Sequence, residues 1–128
     1  LTLEILESEK VSNFNIVNDF IAEVKKYGVK IAIDDFGTGF SNYENILNLN
    51  IDYIKIDGSL IKKIDEDIYL NLIKSIVLFS KQQKIKVVAE FVSDLKILRY
   101  VKNIGIDYSQ GYYIGKPTNI NELIEEKE

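Results

Sequence analysis

Two adjacent carboxylates, Asp34 and Asp35, close an apolar run and open a glycine-bracketed turn, Phe36-Gly37-Thr38-Gly39. Neighbouring acids at the mouth of a buried strand repel each other, and a cation is what most readily makes that arrangement tolerable. Oxygen-only donors point to hard divalent ions such as magnesium or manganese, and these ions commonly serve phosphate chemistry. Further acids stand at comparable places along the chain. Glu4 and Glu7 lie near the end of the first apolar run, Asp57 follows Lys55 at the end of another, and Glu90 ends a fourth. Gln110 lies on or beside the last. Glu4, Asp34, Asp35 and Glu90 could therefore hold two divalent cations, which together activate a water and stabilise the leaving oxygen of a phosphodiester. Lys55 could orient or help deprotonate that water, or stabilise charge on the phosphate. Gln110 can hydrogen-bond a water or a base edge. Gly37 and Gly39 let the backbone turn sharply and approach a ligand closely.

Composition narrows the chemistry. The chain has no cysteine and no histidine. That excludes disulfides, thiolate zinc sites, a cysteine nucleophile, every Ser-His-Asp arrangement and the commonest general base. The net charge of -4 comes from interspersed Lys and Glu with no basic stripe, so duplex nucleic acid is not an expected partner. No signal peptide and no membrane-length apolar run is visible, and a cytoplasmic setting is expected.

The elements that must position these groups follow from periodicity. Strands are expected at 1–6, 29–33, 51–56, 85–89 and 108–114, the last stopped by Pro117. Helices are expected around Phe14, Val17, Phe20, Ile21 and Val24, with Gly28 as cap, at 43–49, around Leu70 to Phe79, from Leu95 to about Gly105, and at 119–126. Asp57-Gly58-Ser59 reads as a turn. Alternation on this scale implies an α/β fold of βαβ units with a parallel sheet, here about five parallel strands in a single domain over 1–128. Parallel α/β folds gather functional groups at the C-terminal ends of their strands, where every strand of this chain carries a charged or amide residue. Plainer readings stand beside this one. Glu7 by itself also reads as a helix cap or a solvent residue, and the alternating Tyr108, Tyr112 and Tyr113 read best as packing.

At this point the chain resembles the C-terminal portion of an EAL domain, the cyclic di-GMP phosphodiesterase family. The resemblance rests on Leu3-Glu4-Ile5-Leu6-Glu7, on Ile33-Asp34-Asp35-Phe36-Gly37-Thr38-Gly39-Phe40-Ser41 and on Asp52-Tyr53-Ile54-Lys55-Ile56-Asp57. Val88-Ala89-Glu90, Gln110-Gly111-Tyr112 and Lys116-Pro117 complete it in order. It implies part of a modified TIM (β/α)8 barrel and hydrolysis of cyclic di-GMP to pGpG with Mg2+ or Mn2+. It further implies that Glu4 and Asp34 bind a first metal, that Asp35 and Glu90 bind a second, and that Asp34 bridges the two. Lys55 would contact the catalytic water, Glu7 would brace the loop after Asp35, Gln110 would be the site glutamine and Pro117 would line the guanine pocket. The Glu-Ala-Leu signature and the asparagine that follows it in the family are not in this sequence, and Glu90-Phe91-Val92-Ser93 stands where the family usually has Glu-Gly-Val-Glu. Three expectations follow: little turnover by residues 1–128 alone, self-association through unpaired sheet edges, and other signalling domains in a longer parent. The alternative reading is a cyclic di-GMP receptor without catalysis.

Overall fold

The computed structural model describes residues 2–6, 14–37, 47, 49–90, 92, 94–109 and 118–119. Five strands run parallel in sequence order: β1 (Thr2–Leu6), β2 (Lys30–Phe36), β3 (Tyr53–Ile56), β4 (Lys86–Ala89) and β5 (Tyr108–Ser109). Four helices are described: α1 (Phe14–Lys25), α2 (Gly58–Ile61), α3 (Asp67–Gln82) and α4 (Leu95–Asn103). Sequential neighbours paired in parallel, with helices between them, are the βαβ units expected from the alternating pattern.

Side chains alternate across the sheet, and the two faces differ. One face carries Ile31, Ile33, Phe36, Ile54, Ile56, Val87 and Ala89. These pack with Ile21 of α1, Leu60 and Ile61 of α2, Ile73, Ile76 and Val77 of α3, and Leu98 and Val101 of α4, forming the hydrophobic core. The opposite face bears Thr2, Glu4, Ala32, Tyr53, Lys55, Val88 and Tyr108, which line a cavity of about 450 Å3. The Tyr53 and Tyr108 rings meet edge to face there, with centroids 6.2 Å apart.

The structure corrects several details of the sequence reading. A sixth strand, β6 (Thr118–Asn119), pairs antiparallel with β5 where the last helix was expected to begin. The remainder of that helix, most of the expected helix at 43–49, and residues 110–117 lie outside the described residues. Phe20 is 57% exposed whereas Ile21 is 1% exposed, because Val17, Ile21 and Val24 form the stripe that meets the core and Phe20 sits about 100° away from Ile21 around the helix. The expected turn at Asp57 is the start of α2, with the Asp57 side chain accepting from the Ser59 amide at 2.8 Å.

Candidate functional site

The second strand solves a geometric problem at its end. Ile33 pairs with Ile54 and Phe36 with Ile56, so three steps on β2 face two on β3. The extra residue is a β-bulge, and it lets Ile33 and Phe36 both enter the core although they are three residues apart. Asp35 takes the left-handed backbone conformation inside this bulge, at φ 49, a region that aspartate tolerates better than most residues. Its amide donates to Asp34 Oδ1 at 2.8 Å. Gly37 continues the turn at φ 95, and a Cβ there would fall 2.3 Å from Leu60 Cδ1. Both the backbone angle and the approach of α2 call for glycine at that position.

The neighbouring strands deliver their polar groups to the same rim. The Asp57 amide donates to the Phe36 carbonyl and the Glu90 amide to the Ile56 carbonyl, which carries the ladder just past the strand ends. Lys55 lies on the cavity face of β3, is only 9% exposed, and its Nζ is 2.5 Å from Glu4 Oε1. Glu90 hydrogen-bonds Asp34, and Asp34 also interacts with Glu4. Four strands therefore bring Glu4, Asp34, Lys55 and Glu90 into one interacting group.

Its electrostatics are unbalanced. Burial, reinforced by the hydrogen bond to Asp34 and by the charge of Asp34, pushes the Glu90 carboxyl up to about 8. Asp57 adds to that push from the start of α2. Asp34 moves the other way: the hydrogen bond from Glu90 outweighs the cost of burial and lowers its pKa. Burial disfavours the Lys55 ammonium, but the hydrogen bond to Glu4 and the charges of Glu90, Glu4 and Asp34 prevail and raise its pKa. The surroundings thus favour the neutral form of Glu90 and the charged form of Lys55 against Glu4. Glu90 Oε1 is buried with no hydrogen-bond partner.

Among the described residues, no group of three or more acidic side chains is set to hold a metal ion as it stands. Glu4 is engaged by Lys55, and burial together with the Asp34 charge disfavours the ionised form of Glu90. The donor chemistry nonetheless fits a hard divalent cation. All the donors are oxygens, one buried Glu90 oxygen lacks a partner, and Glu4, Asp34 and Glu90 share a single lysine, an excess of acids that such an ion would neutralise.

Of the residues singled out in the sequence, Glu4, Asp34, Lys55 and Glu90 are brought together, and Asp35 is joined to Asp34 through its amide. Phe36 is fully buried in the core, so its side chain packs rather than faces a ligand. Glu7, Thr38, Gly39, Gln110 and Pro117 lie outside the described residues. Asp57, read from the sequence as a turn residue, caps α2 with its carboxylate, and its charge bears on Glu90.

The chain is similar to known proteins along most of its length. A family model described as EAL domain matches residues 1–117. The cyclic di-GMP phosphodiesterase PdeA of Borreliella burgdorferi is 42% identical over 121 residues, which cover 94% of this chain and 18% of that protein. The crystal structure of the EAL domain of Mycobacterium smegmatis DcpA superposes with a TM-score of 0.82 at 27% identity, covering 98% of this chain and 56% of that one. A standalone EAL protein from Vibrio cholerae O395, in its c-di-GMP bound form, superposes with a TM-score of 0.79 at 28% identity, covering 93% and 51%. The chain spans less than a fifth of the length of the Borreliella burgdorferi relative and about half of each solved chain.

Proposed function

Because the chain belongs to the EAL domain family, we propose that it is the C-terminal portion of a metal-dependent phosphodiesterase that cleaves cyclic di-GMP to pGpG. The single observation that carries the reading is the convergence of Glu4, Asp34, Lys55 and Glu90 from four strands. Glu4 and Asp34 would hold one divalent cation, and Asp35 and Glu90 a second. When bound, such a pair of ions supplies an activated water and neutralises charge on the phosphodiester and its departing oxygen. Lys55 orients that water or meets a phosphate oxygen, its cationic state secured by the surrounding acids. Glu90 would hold its ion as the carboxylate. The β2 bulge and Gly37 hold the two aspartates at the rim. Glu7, Thr38, Gly39, Gln110 and Pro117 enter the proposal from their places in the sequence alone: Glu7 braces the loop after Asp35, Thr38 and Gly39 shape it, and Gln110 and Pro117 contact the nucleotide.

No helix among the described residues is long and apolar enough to cross a membrane, and a cytoplasmic setting remains part of the proposal, as do further signalling domains in a longer parent. β1 pairs only with β2 among the described residues, which supports self-association of the isolated chain, and light scattering from a stable monomer at high concentration would remove that element.

The test is turnover of cyclic di-GMP with Mn2+, with pGpG read by chromatography. A longer polypeptide that supplies the Glu-Ala-Leu and asparagine strands is expected to hydrolyse it, and residues 1–128 alone to do so poorly. Robust hydrolysis by residues 1–128 would overturn the second expectation. One sequence observation favours a second reading, a receptor without catalysis: Phe91 and Ser93 stand where the family has glycine and glutamate. Nucleotide affinity without product in the longer polypeptide would select it.

A further inference from the structure

Lys55 is paired with Glu4, one of the acids proposed to hold a divalent ion. Its side chain is 11% exposed, rises from the middle of the sheet and pairs with Glu4 at 2.5 Å. Among the described residues it is the one cation whose charge bears on Asp34 and Glu90. An ammonium that deep does not swing into solvent as a surface lysine would, because leaving Glu4 would strand a buried charge on Lys55. It can leave only when another positive charge takes its place. Glu4, by contrast, keeps 43% of its side chain exposed and is open to an arriving ion from the solvent side.

We propose that Lys55 and a divalent cation are mutually exclusive partners of Glu4, so that loading the ion releases the Lys55 ammonium towards the phosphodiester. This rests on the reading of the rim as a divalent-metal site and adds an order of events to it. Without the ion, Lys55 acts as the resident counter-charge that keeps the acidic rim folded. With the ion, two cations close together repel, Glu4 changes partner, and the lysine becomes available for the substrate. No bond is made or broken in the exchange, which is of ion pairs only. The device ties the availability of the lysine to the presence of the ion, so a metal-free site presents Lys55 already engaged.

The test needs no turnover. Side-chain amine signals of 15N-lysine-labelled protein are followed during titration with diamagnetic Mg2+, with Lys55 assigned from Lys55→Arg. Movement of the Lys55 signal to a new position at saturation supports exchange, and a signal unmoved at saturation overturns it. Calorimetry with Mn2+ gives the second arm. Removing the competing ammonium in Lys55→Met is expected to tighten binding by about fivefold or more, while Lys55→Arg stays within about twofold of the native chain. Binding by Lys55→Met no tighter than native overturns the proposal. If the native chain takes up neither ion, the metal reading of the rim falls and the exchange falls with it. That outcome is distinct from one in which the native chain binds and Lys55 stays put. The NMR arm uses the native chain and stands even if Lys55→Met fails to fold.

Discussion

The two rims of the sheet use the same residue type for opposite ends. At the N-terminal rim, Asp52 accepts from the Ile31 amide at 2.8 Å and from Lys25 at 3.1 Å. Asp107 repeats the arrangement two strands later, accepting from the Val87 amide at 3.0 Å with Lys86 nearby. Both lie in an Ile-Asp-Tyr triplet whose isoleucine is buried and whose tyrosine lines the cavity. Each of these acids has an amide and a lysine of its own. At the C-terminal rim, Glu4, Asp34 and Glu90 share one lysine, Glu90 is pushed up to about 8, and one of its oxygens is buried without a partner. Acids that only hold a fold together are satisfied locally. Acids left short of counter-charge mark the place where the molecule is built for something it does not itself contain.

The largest expected effect is at the C-terminal rim. Asp34→Asn removes the carboxylate that interacts with both Glu4 and Glu90. Mn2+ affinity measured by calorimetry is expected to fall by roughly 100-fold or more, since even outer partners of metal ligands are worth 10- to 100-fold. The melting temperature of the metal-free protein is expected to change little, because asparagine keeps the Oδ1 that accepts from the Asp35 amide and can still meet the Glu90 carboxyl. A large loss of metal-free stability with affinity intact would erase the distinction between the rims.

Asp52→Ala is the counterpart and is expected to do the reverse. It strands the Ile31 amide at the start of β2 and breaks a half-buried ion pair. A loss of about 1–3 kcal/mol in denaturant unfolding is expected, most of it from the orphaned amide, with Mn2+ affinity within about twofold of native. An equal loss of metal affinity would mean that the lower rim is part of the site.

The third prediction concerns pH. The folded-state pKa of Glu90 is raised from 4.5 to about 8. The stability associated with its protonated form is therefore fully present below about pH 4.5 and is lost as pH rises towards 8. Metal-free native protein is expected to lose melting temperature relative to Glu90→Gln across that window, and saturating Mg2+ at pH 8 to restore part of it. A difference between the two proteins that does not change with pH would show that Glu90 is not held protonated by its surroundings.

Much of this contrast was legible before the fold was seen. The period of the apolar residues located the five parallel strands. An acid at the close of an apolar run is a local signal, so Glu4, Asp34, Asp35 and Glu90 could be picked out from sequence. What escaped depends on pairing between strands. The bulge at Asp35 exists only because Ile33 and Phe36 must both reach the core against a straight β3. The Ile-Asp-Tyr triplets, at 51–53 and 106–108, look like ordinary strand entries until the amides of Ile31 and Val87 are set beside them. The two-residue β6 carries too little pattern to show itself. Phe20 misled because hydrophobicity was counted without its angle on the helix.

The smallest effect gives the finest comparison, since each rim has a glycine with positive φ. Gly28, in the turn between α1 and β2, has φ 80, and a Cβ there would meet nothing within 4 Å. Gly37, following the bulge, has φ 95, and a Cβ there would press on Leu60. Alanine at either position incurs the left-handed backbone penalty of about 1 kcal/mol. At Gly28 the cost ends there, because the added methyl points into open space. At Gly37 the Leu60 methyl can rotate aside, so the extra loss of stability is small, but the backbone that yields is the one that sets Asp34 and Asp35. Gly37→Ala is therefore expected to weaken Mn2+ binding severalfold, and Gly28→Ala to leave it unchanged at a similar loss of stability. Equal effects of both on metal affinity would mean that the ion tolerates a shift of the bulge, and that the upper rim is less strictly positioned than its crowded charges imply.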